Sequence, residues 1–96
     1  MVELEQKVID SIKLLLSQNQ KIKKLILFGS RAKGCAKNGS DIDLAIVGES
    51  INFRDLCAIS SDLDELDLPY KIDLINYNSI SNIDLKEHID RVGVEL

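Results

Sequence analysis

The sequence predicts an α+β fold in which helices pack on a sheet of three or four strands. Three observations support this class. An amino-terminal segment repeats apolar residues at helical spacing, and two later segments do the same behind capping residues. Between them lie short apolar runs, rich in β-branched residues, that stop at turn-forming residues. No repeat, low-complexity tract or linker interrupts the 96 residues, so residues 1–96 are expected to form a single domain.

The amino-terminal segment, residues 2–18, predicts a helix that covers the sheet. Leu4, Val8, Ile12 and Leu15 recur at the spacing of one helix face, and the intervening positions are largely polar or charged. An amphipathic helix of this kind buries its apolar stripe against another element.

The central stretch predicts two strands joined across a glycine turn. The first strand, residues 22–28, is apolar in its second half and stops at Gly29 and Ser30. A second apolar run opens at residue 40 and contains Asp41 and Asp43, spaced by one residue. The second strand therefore begins with a pair of carboxylates.

The spacing of this pair points to metal binding. Side chains alternate between the faces of a strand, so Asp41 and Asp43 project from one face while Ile42, Leu44 and Ile46 take the other and can be buried. Two carboxylates on one face can converge on a single cation. Oxygen ligands suit Mg²⁺, which binds proteins through one or two carboxylates together with substrate phosphates.

The turn before the pair has the features of a phosphate cradle. Gly29 permits close approach of the backbone to a ligand, and Ser30 followed by residues 31–33 is typical of an N-cap opening a short helix. The peptide N–H groups at such a start bind anions. A phosphate cradle beside a carboxylate pair indicates a metal-bound nucleotide.

After Gly48 a helix is expected, capped by Ser50 or Asn52 and running to about Asp67 ahead of Pro69. Its predicted buried stripe comprises Phe53, Leu56, Ile59, Leu63 and Leu66.

The last third of the chain predicts a strand, a helix and a short strand. Residues 70–75 are β-rich, Asn78 or Ser79 is the expected cap of a helix to about Arg91, and residues 92–96 could add an edge strand.

Asp73 lies inside the otherwise apolar third strand and is a candidate third carboxylate. Burying a charge there is costly unless something compensates it, and a metal would do so. The alternative is a solvent-facing aspartate that pairs with Lys71 on the same face.

The residues G-S-R-A-K-G at 29–34, followed by G-S-D-I-D-L at 39–44, resemble the signature of polymerase-β-like nucleotidyltransferases. The arginine after Gly-Ser and the short chain are most similar to the minimal nucleotidyltransferases (MNT proteins) that accompany HEPN-domain toxins. The resemblance implies a mixed sheet, in which the strand of Asp73 lies beside the strand of the carboxylate pair.

The resemblance also implies an activity: Mg²⁺-dependent transfer of AMP from ATP to a hydroxyl, with release of pyrophosphate. It assigns catalysis and the binding of two Mg²⁺ ions to Asp41, Asp43 and Asp73, and it gives Asp73 a part in activating the acceptor hydroxyl. Gly29, Ser30 and Arg31 are the implied nucleotide contacts. Lys33 stands where the family often has arginine, which leaves its role open.

The implied acceptor is a tyrosine of a cognate HEPN toxin, which would make the chain an antitoxin that assembles as a homo- or hetero-oligomer. Two alternatives remain open. The protein could neutralise its partner by complex formation without catalysis, or it could modify a small molecule in the manner of aminoglycoside nucleotidyltransferases.

Composition limits the other possibilities. A net charge of −4 and an isoelectric point of about 4.9 give no broad basic surface, so nucleic acid is not an expected partner. No leader or membrane-spanning run is apparent, and a cytoplasmic protein with reduced Cys35 and Cys57 is expected. His88 is predicted to be a surface or helix-end residue, and Tyr77 to pack at a strand end, with modification or base stacking as the alternative.

Overall fold

The computed structural model describes residues 5–29, 41–68 and 70–96 of the chain. The elements are helix α1 (Gln6–Leu16), strands β1 (Ile22–Phe28) and β2 (Ile42–Gly48), helix α2 (Phe53–Asp64), strand β3 (Ile72–Asn76), a 3₁₀ turn (Tyr77–Ser79), helix α3 (Ile83–Val92) and strand β4 (Val94–Glu95). The predicted α+β class is confirmed.

The strands form one four-stranded mixed sheet in the order β3-β2-β1-β4. β1 pairs antiparallel with β2 and with β4, whereas β2 and β3 run parallel. A parallel pair needs a crossover connection, which helix α2 supplies between β2 and β3. The strand of Asp73 therefore lies beside the strand of Asp43, which confirms the prediction.

One face of the sheet carries the main core. Ile42, Leu44 and Ile46 of β2 are fully buried there, as the alternation along the strand predicts. Helices α1 and α2 cover this face and contribute Ile12 and Leu63 to the same apolar cluster.

The opposite face is only partly covered. Helix α3 lies on it through Ile89, which packs with Phe28 of β1 and Ala45 of β2. Asp43 lies two residues before Ala45 and so shares this face. The thinner cover leaves the carboxylate end of β2 accessible to a ligand.

The predicted helix boundaries need correction. Helix α2 ends at Asp64 rather than near Asp67, which has a left-handed φ of 52° that stops a helix. The cap of α3 is Asn82, whose side chain accepts a hydrogen bond from the N–H of Leu85. Residues 78 and 79 instead belong to the 3₁₀ turn, because Asn76 caps that turn by accepting from the N–H of Asn78.

Three large apolar residues of the described ranges are mostly exposed, and the first is Leu14 of α1, at 69%. Phe53, predicted to be buried, is 79% exposed in the first turn of α2, and Ile83 is 72% exposed in the first turn of α3. Phe53 borders a groove of about 490 Å³ between the starts of these two helices. In the described ranges, no helix has both the length and the apolar character needed to cross a membrane.

Candidate active site

The parallel pairing of β2 and β3 places two of the candidate carboxylates side by side. Asp43 is the register partner of Asp73, and the alignment is secured by a 2.8 Å hydrogen bond from the N–H of Ile42 to the carbonyl of Lys71. Neighbouring strands lie about 4.8 Å apart, so the two carboxylates can reach a common ion. Asp41 directly precedes β2 and completes the group.

The pKa of Asp43 reflects its burial and the two neighbouring carboxylates. Burial is the main cause of the raised pKa of Asp43, and the negative charges of Asp73 and Asp41 raise it further. A positive charge on His88 acts in the opposite direction. Asp43 thus lies close enough to two other carboxylates for their negative charges to affect its ionisation.

Gly29 closes the site from the end of β1. Its φ of 76° lies in the left-handed region, which glycine adopts without strain. A Cβ atom at this position would overlap the carboxylate of Asp43. The turn predicted to hold phosphates therefore starts in contact with the candidate metal ligand. Ser30, Arg31 and Lys33 fall outside the described residues.

Asp73 was predicted either to bind a metal or to face solvent and pair with Lys71, and its environment has features of both. Its side chain is 47% exposed, and its Oδ1 lies 3.9 Å from the Nζ of Lys71, which is itself 75% exposed. An exposed pair at that distance contributes little to stability. Lys71 can turn toward solvent at small cost, so Asp73 remains free to serve the carboxylate cluster.

The donor set fits a hard divalent cation. Among the described residues, no three acidic, histidine or cysteine side chains are already arranged as a metal site. Mg²⁺ does not require one, because it usually keeps water and phosphate ligands and takes only one or two carboxylates from the protein. Burial, and then the charges of Asp73 and Asp41, raise the pKa of Asp43, and a cation bound by these carboxylates would oppose all three effects.

His88 lies partly exposed on α3, close to the side of the sheet that carries Asp43. Its ring packs edge-to-face on Phe28, with ring centroids 6.4 Å apart and an interplanar angle of 81°, a contact that the sequence did not predict. Phe28 is in turn the register partner of Asp43. In the sequence, His88 is notable only because it precedes the apolar Ile89, which is buried. The spacing of apolar residues along a helix does not show which strand the helix packs against.

Tyr77 has a structural role in the described residues. Its hydroxyl donates a 2.6 Å hydrogen bond to Asp90 of α3, and the Nζ of Lys86 lies 4.9 Å from the ring centroid. The hydrogen bond to the Asp90 carboxylate raises the pKa of Tyr77. Tyr77 thus ties the 3₁₀ turn to α3, which agrees with the predicted packing role.

Comparison with known families now identifies the fold. The model of the family "Polymerase beta, Nucleotidyltransferase" matches residues 10–96, which include the glycine turn and all three carboxylates. The chain belongs to this family. The resemblance predicted from residues 29–44 is confirmed.

Individual relatives agree with this assignment. The chain is 41% identical over 68 residues to a Haemophilus influenzae protein named "Probable protein adenylyltransferase MntA"; the match covers 70% of this chain and 59% of that protein. The chain thus spans about three fifths of the length of this relative.

Solved structures show the same fold. A toxin-antitoxin with AMP-PNP superposes with a TM-score of 0.73 at 22% identity, over 96% of this chain and 72% of the other. A complex of a tri-AMPylated Shewanella oneidensis HEPN toxin with an MNT antitoxin gives 0.65 at 23% identity, over 92% and 66%.

Proposed function

We propose that the protein is a Mg²⁺-dependent nucleotidyltransferase that moves AMP from ATP to a tyrosine hydroxyl of a HEPN toxin and thereby acts as an antitoxin. The observation that carries this proposal is the register of Asp43 with Asp73, with Gly29 against the Asp43 carboxylate. Family membership supports the reaction class. The acceptor is proposed from the relatives, one named as a protein adenylyltransferase and one solved with an AMPylated HEPN toxin.

The reaction is an in-line displacement at the α-phosphorus of ATP. The acceptor oxygen forms a bond to this phosphorus, the bond to the oxygen bridging the α- and β-phosphates breaks, and pyrophosphate leaves with that electron pair. The hydroxyl proton passes to the carboxylate of Asp73, which is exposed enough to meet an acceptor from solvent. Mg²⁺, as two ions held by Asp41, Asp43 and Asp73, would neutralise charge on the triphosphate and on the attacking oxygen.

The turn that begins at Gly29, rather than the carboxylates, holds the nucleotide through its phosphates. The peptide at Gly29 contacts the triphosphate, and we assign Ser30 and Arg31 to the same role. An acceptor on a separate protein is consistent with the open face of the sheet beside Asp43, where α3 leaves the carboxylates accessible. We place the reaction in the cytoplasm, where ATP and Mg²⁺ are available.

The direct test is intact-mass measurement of a co-expressed HEPN partner after incubation with this protein, ATP and Mg²⁺. We expect added AMP with the wild type and none with Asp41→Asn or Asp43→Asn. Asp62→Asn is the matched control, because Asp62 is an exposed aspartate on α2, away from the cluster. An unmodified partner in every reaction contradicts the proposed transfer.

The binding alternative is tested in the same system. If Asp41→Asn still rescues cells from the toxin and still forms the complex, neutralisation works by occlusion and catalysis is dispensable. If rescue is lost while the complex persists, transfer of AMP is the neutralising step. Nucleotidylation of an aminoglycoside by this protein alone would favour the small-molecule alternative.

A further inference from the structure

Helix α3 packs on the sheet face that carries Asp43, and its one histidine, His88, contacts the end of β1. The ring rests on Phe28, the last residue of β1, and Phe28 is followed directly by the Gly29 turn. Phe28 is also the register partner of Asp43, and a positive charge on His88 lowers the pKa of Asp43. His88 is therefore near the strand end from which both the turn and the carboxylate pairing begin.

The imidazole of His88 is available to a ligand. Within residues 5–29, 41–68 and 70–96, the hydrogen bonds and ion pairs do not include either ring nitrogen. The ring is half-buried and held by its edge-to-face contact, so its orientation is restricted before any ligand arrives. An imidazole carries at least one N–H donor whether it is neutral or protonated.

Phosphate oxygens are the acceptors that such a donor would meet here. Ionised carboxylates can bind metal ions but cannot donate hydrogen bonds. A bound triphosphate therefore needs hydrogen-bond donors from other residues of the site. The proposed function assigns the turn that begins at Gly29 to this role. His88, adjacent to that turn through Phe28, supplies a side-chain donor from the helix that covers the sheet.

We propose that His88 binds the triphosphate directly, donating a hydrogen bond from its imidazole to an oxygen of the β- or γ-phosphate. This inference rests on the proposed function, since it assigns His88 to the nucleotide of that same site. Because the β- and γ-phosphates leave as pyrophosphate, His88 would hold the leaving group on the side away from the acceptor.

The test measures binding by calorimetry in Mg²⁺, using ATP, inorganic pyrophosphate and AMP with the full chain. His88→Phe keeps a ring against Phe28 but removes the N–H donor, and His88→Gln keeps a donor without the ring. A hydrogen bond to a charged group is worth about 1.5 to 3 kcal/mol, so His88→Phe should weaken ATP and pyrophosphate binding by roughly tenfold or more. AMP binding should not change, and His88→Gln should restore much of the affinity for pyrophosphate.

The outcomes separate this inference from the proposed function. Unchanged pyrophosphate binding by His88→Phe overturns the role of His88, and so does an equal loss of AMP affinity, which would indicate general damage to the site. A wild type that binds neither ATP nor pyrophosphate also overturns it. A wild type that binds both, loses them in His88→Phe, yet never modifies a partner protein supports the role of His88 while refuting the proposed transfer.

Discussion

At the scale of single residues, Asp43 is proposed to bind metal, but its charge lowers the stability of the fold. It is flanked by Asp73 and Asp41 and partly buried, and both burial and the neighbouring charges raise its pKa. A carboxyl whose pKa is higher in the folded state than in the unfolded chain destabilises the fold once it is ionised. The free energy of unfolding therefore falls as the pH rises from the usual value of 3.8 through the raised value.

We expect Asp43→Asn to raise the melting temperature slightly at neutral pH without metal, while abolishing AMP transfer. The amide has nearly the same shape as the carboxylate and carries no charge to be repelled by Asp41 and Asp73. Thermal melts at pH 7 and in mild acid measure the difference, which should shrink as the pH falls toward 4. A variant less stable than the wild type at pH 7 would show that Asp43 is compensated by an interaction other than a metal.

Gly29 is the second residue whose identity is dictated by its surroundings. Gly29→Ala introduces a Cβ into a left-handed backbone position and against the Asp43 carboxylate. Strain of this kind costs about 1 to 3 kcal/mol, and we expect a loss of that size in urea unfolding together with loss of nucleotide binding.

Gly29→Asn separates the two causes, because asparagine tolerates the left-handed region better than alanine. If overlap with Asp43 dominates, both variants lose stability and nucleotide binding alike. If Gly29→Asn binds ATP as the wild type does, the backbone angle alone explains the glycine.

At the scale of elements, the two helices that flank β3 begin with the same cap but support different parts of the molecule. Asn52 caps α2 in a reciprocal capping box with Asp55, which also forms a 2.8 Å ion pair with Lys21. Asn82 caps α3 by accepting from the N–H of Leu85. Helix α2 packs on the core face, whereas α3 carries His88 to the site.

Asn52→Ala and Asn82→Ala form a matched pair of tests. Loss of an asparagine N-cap costs about 1 kcal/mol, so both variants should unfold at lower urea concentration. Only Asn82→Ala should also weaken ATP binding, because fraying of α3 loosens the helix that holds His88 and Ile89. Equal effects on ATP affinity would show that the position of α3 does not matter to the nucleotide.

The ion pair at the start of α2 predicts an acid dependence. The hydrogen bond from Lys21, followed by that from the N–H of Asn52, lowers the pKa of Asp55 below its usual 3.8. A lowered pKa stabilises the fold above 3.8, and this stabilisation is lost as the pH falls through the lower value. We expect Asp55→Asn to be less stable than the wild type at pH 7, with the difference diminishing in melts below pH 3.8.

At the scale of the whole molecule, the mixed sheet is what assembles the site. Asp43 and Asp73 are 30 positions apart in the chain, and the parallel β2–β3 pairing makes them neighbours. The two helices on the opposite face provide the core that holds both strands in register. A divalent cation bound to these carboxylates would therefore link the two strands and stabilise the entire fold.

Titration with Mg²⁺ tests this at the level of global stability. A ligand that binds only the native state raises the free energy of unfolding by about 2.7 kcal/mol at a hundred times its Kd. We expect Mg²⁺ to raise the melting temperature of the wild type and EDTA to reverse the change. Asp43→Asn and Asp73→Asn should respond weakly, while Asp62→Asn should respond as the wild type does; an equal response in all four proteins would place the cation elsewhere.

Local pattern was sufficient for much of the fold. The strand Ile22–Phe28 was predicted at its observed bounds, because its apolar run is cut off by Gly29. The buried set Ile42, Leu44 and Ile46 followed from alternation along β2. The ends of the helices were predicted less well. The sequence pattern predicted one helix from residue 78 or 79, whereas Asn76 caps a 3₁₀ turn and Asn82 caps α3.

The sequence by itself determined the local features of the site: the spacing of Asp41 and Asp43, the glycine turn before them, and the resemblance to nucleotidyltransferases that these residues carry. Such features depend only on the alternation of side chains and on glycine's backbone freedom, which act over a few residues. Tertiary structure alone decided that Asp73 is the register partner of Asp43 and that His88 packs on Phe28. Both depend on how distant segments pack, and packing is set by the whole apolar core rather than by any single stretch.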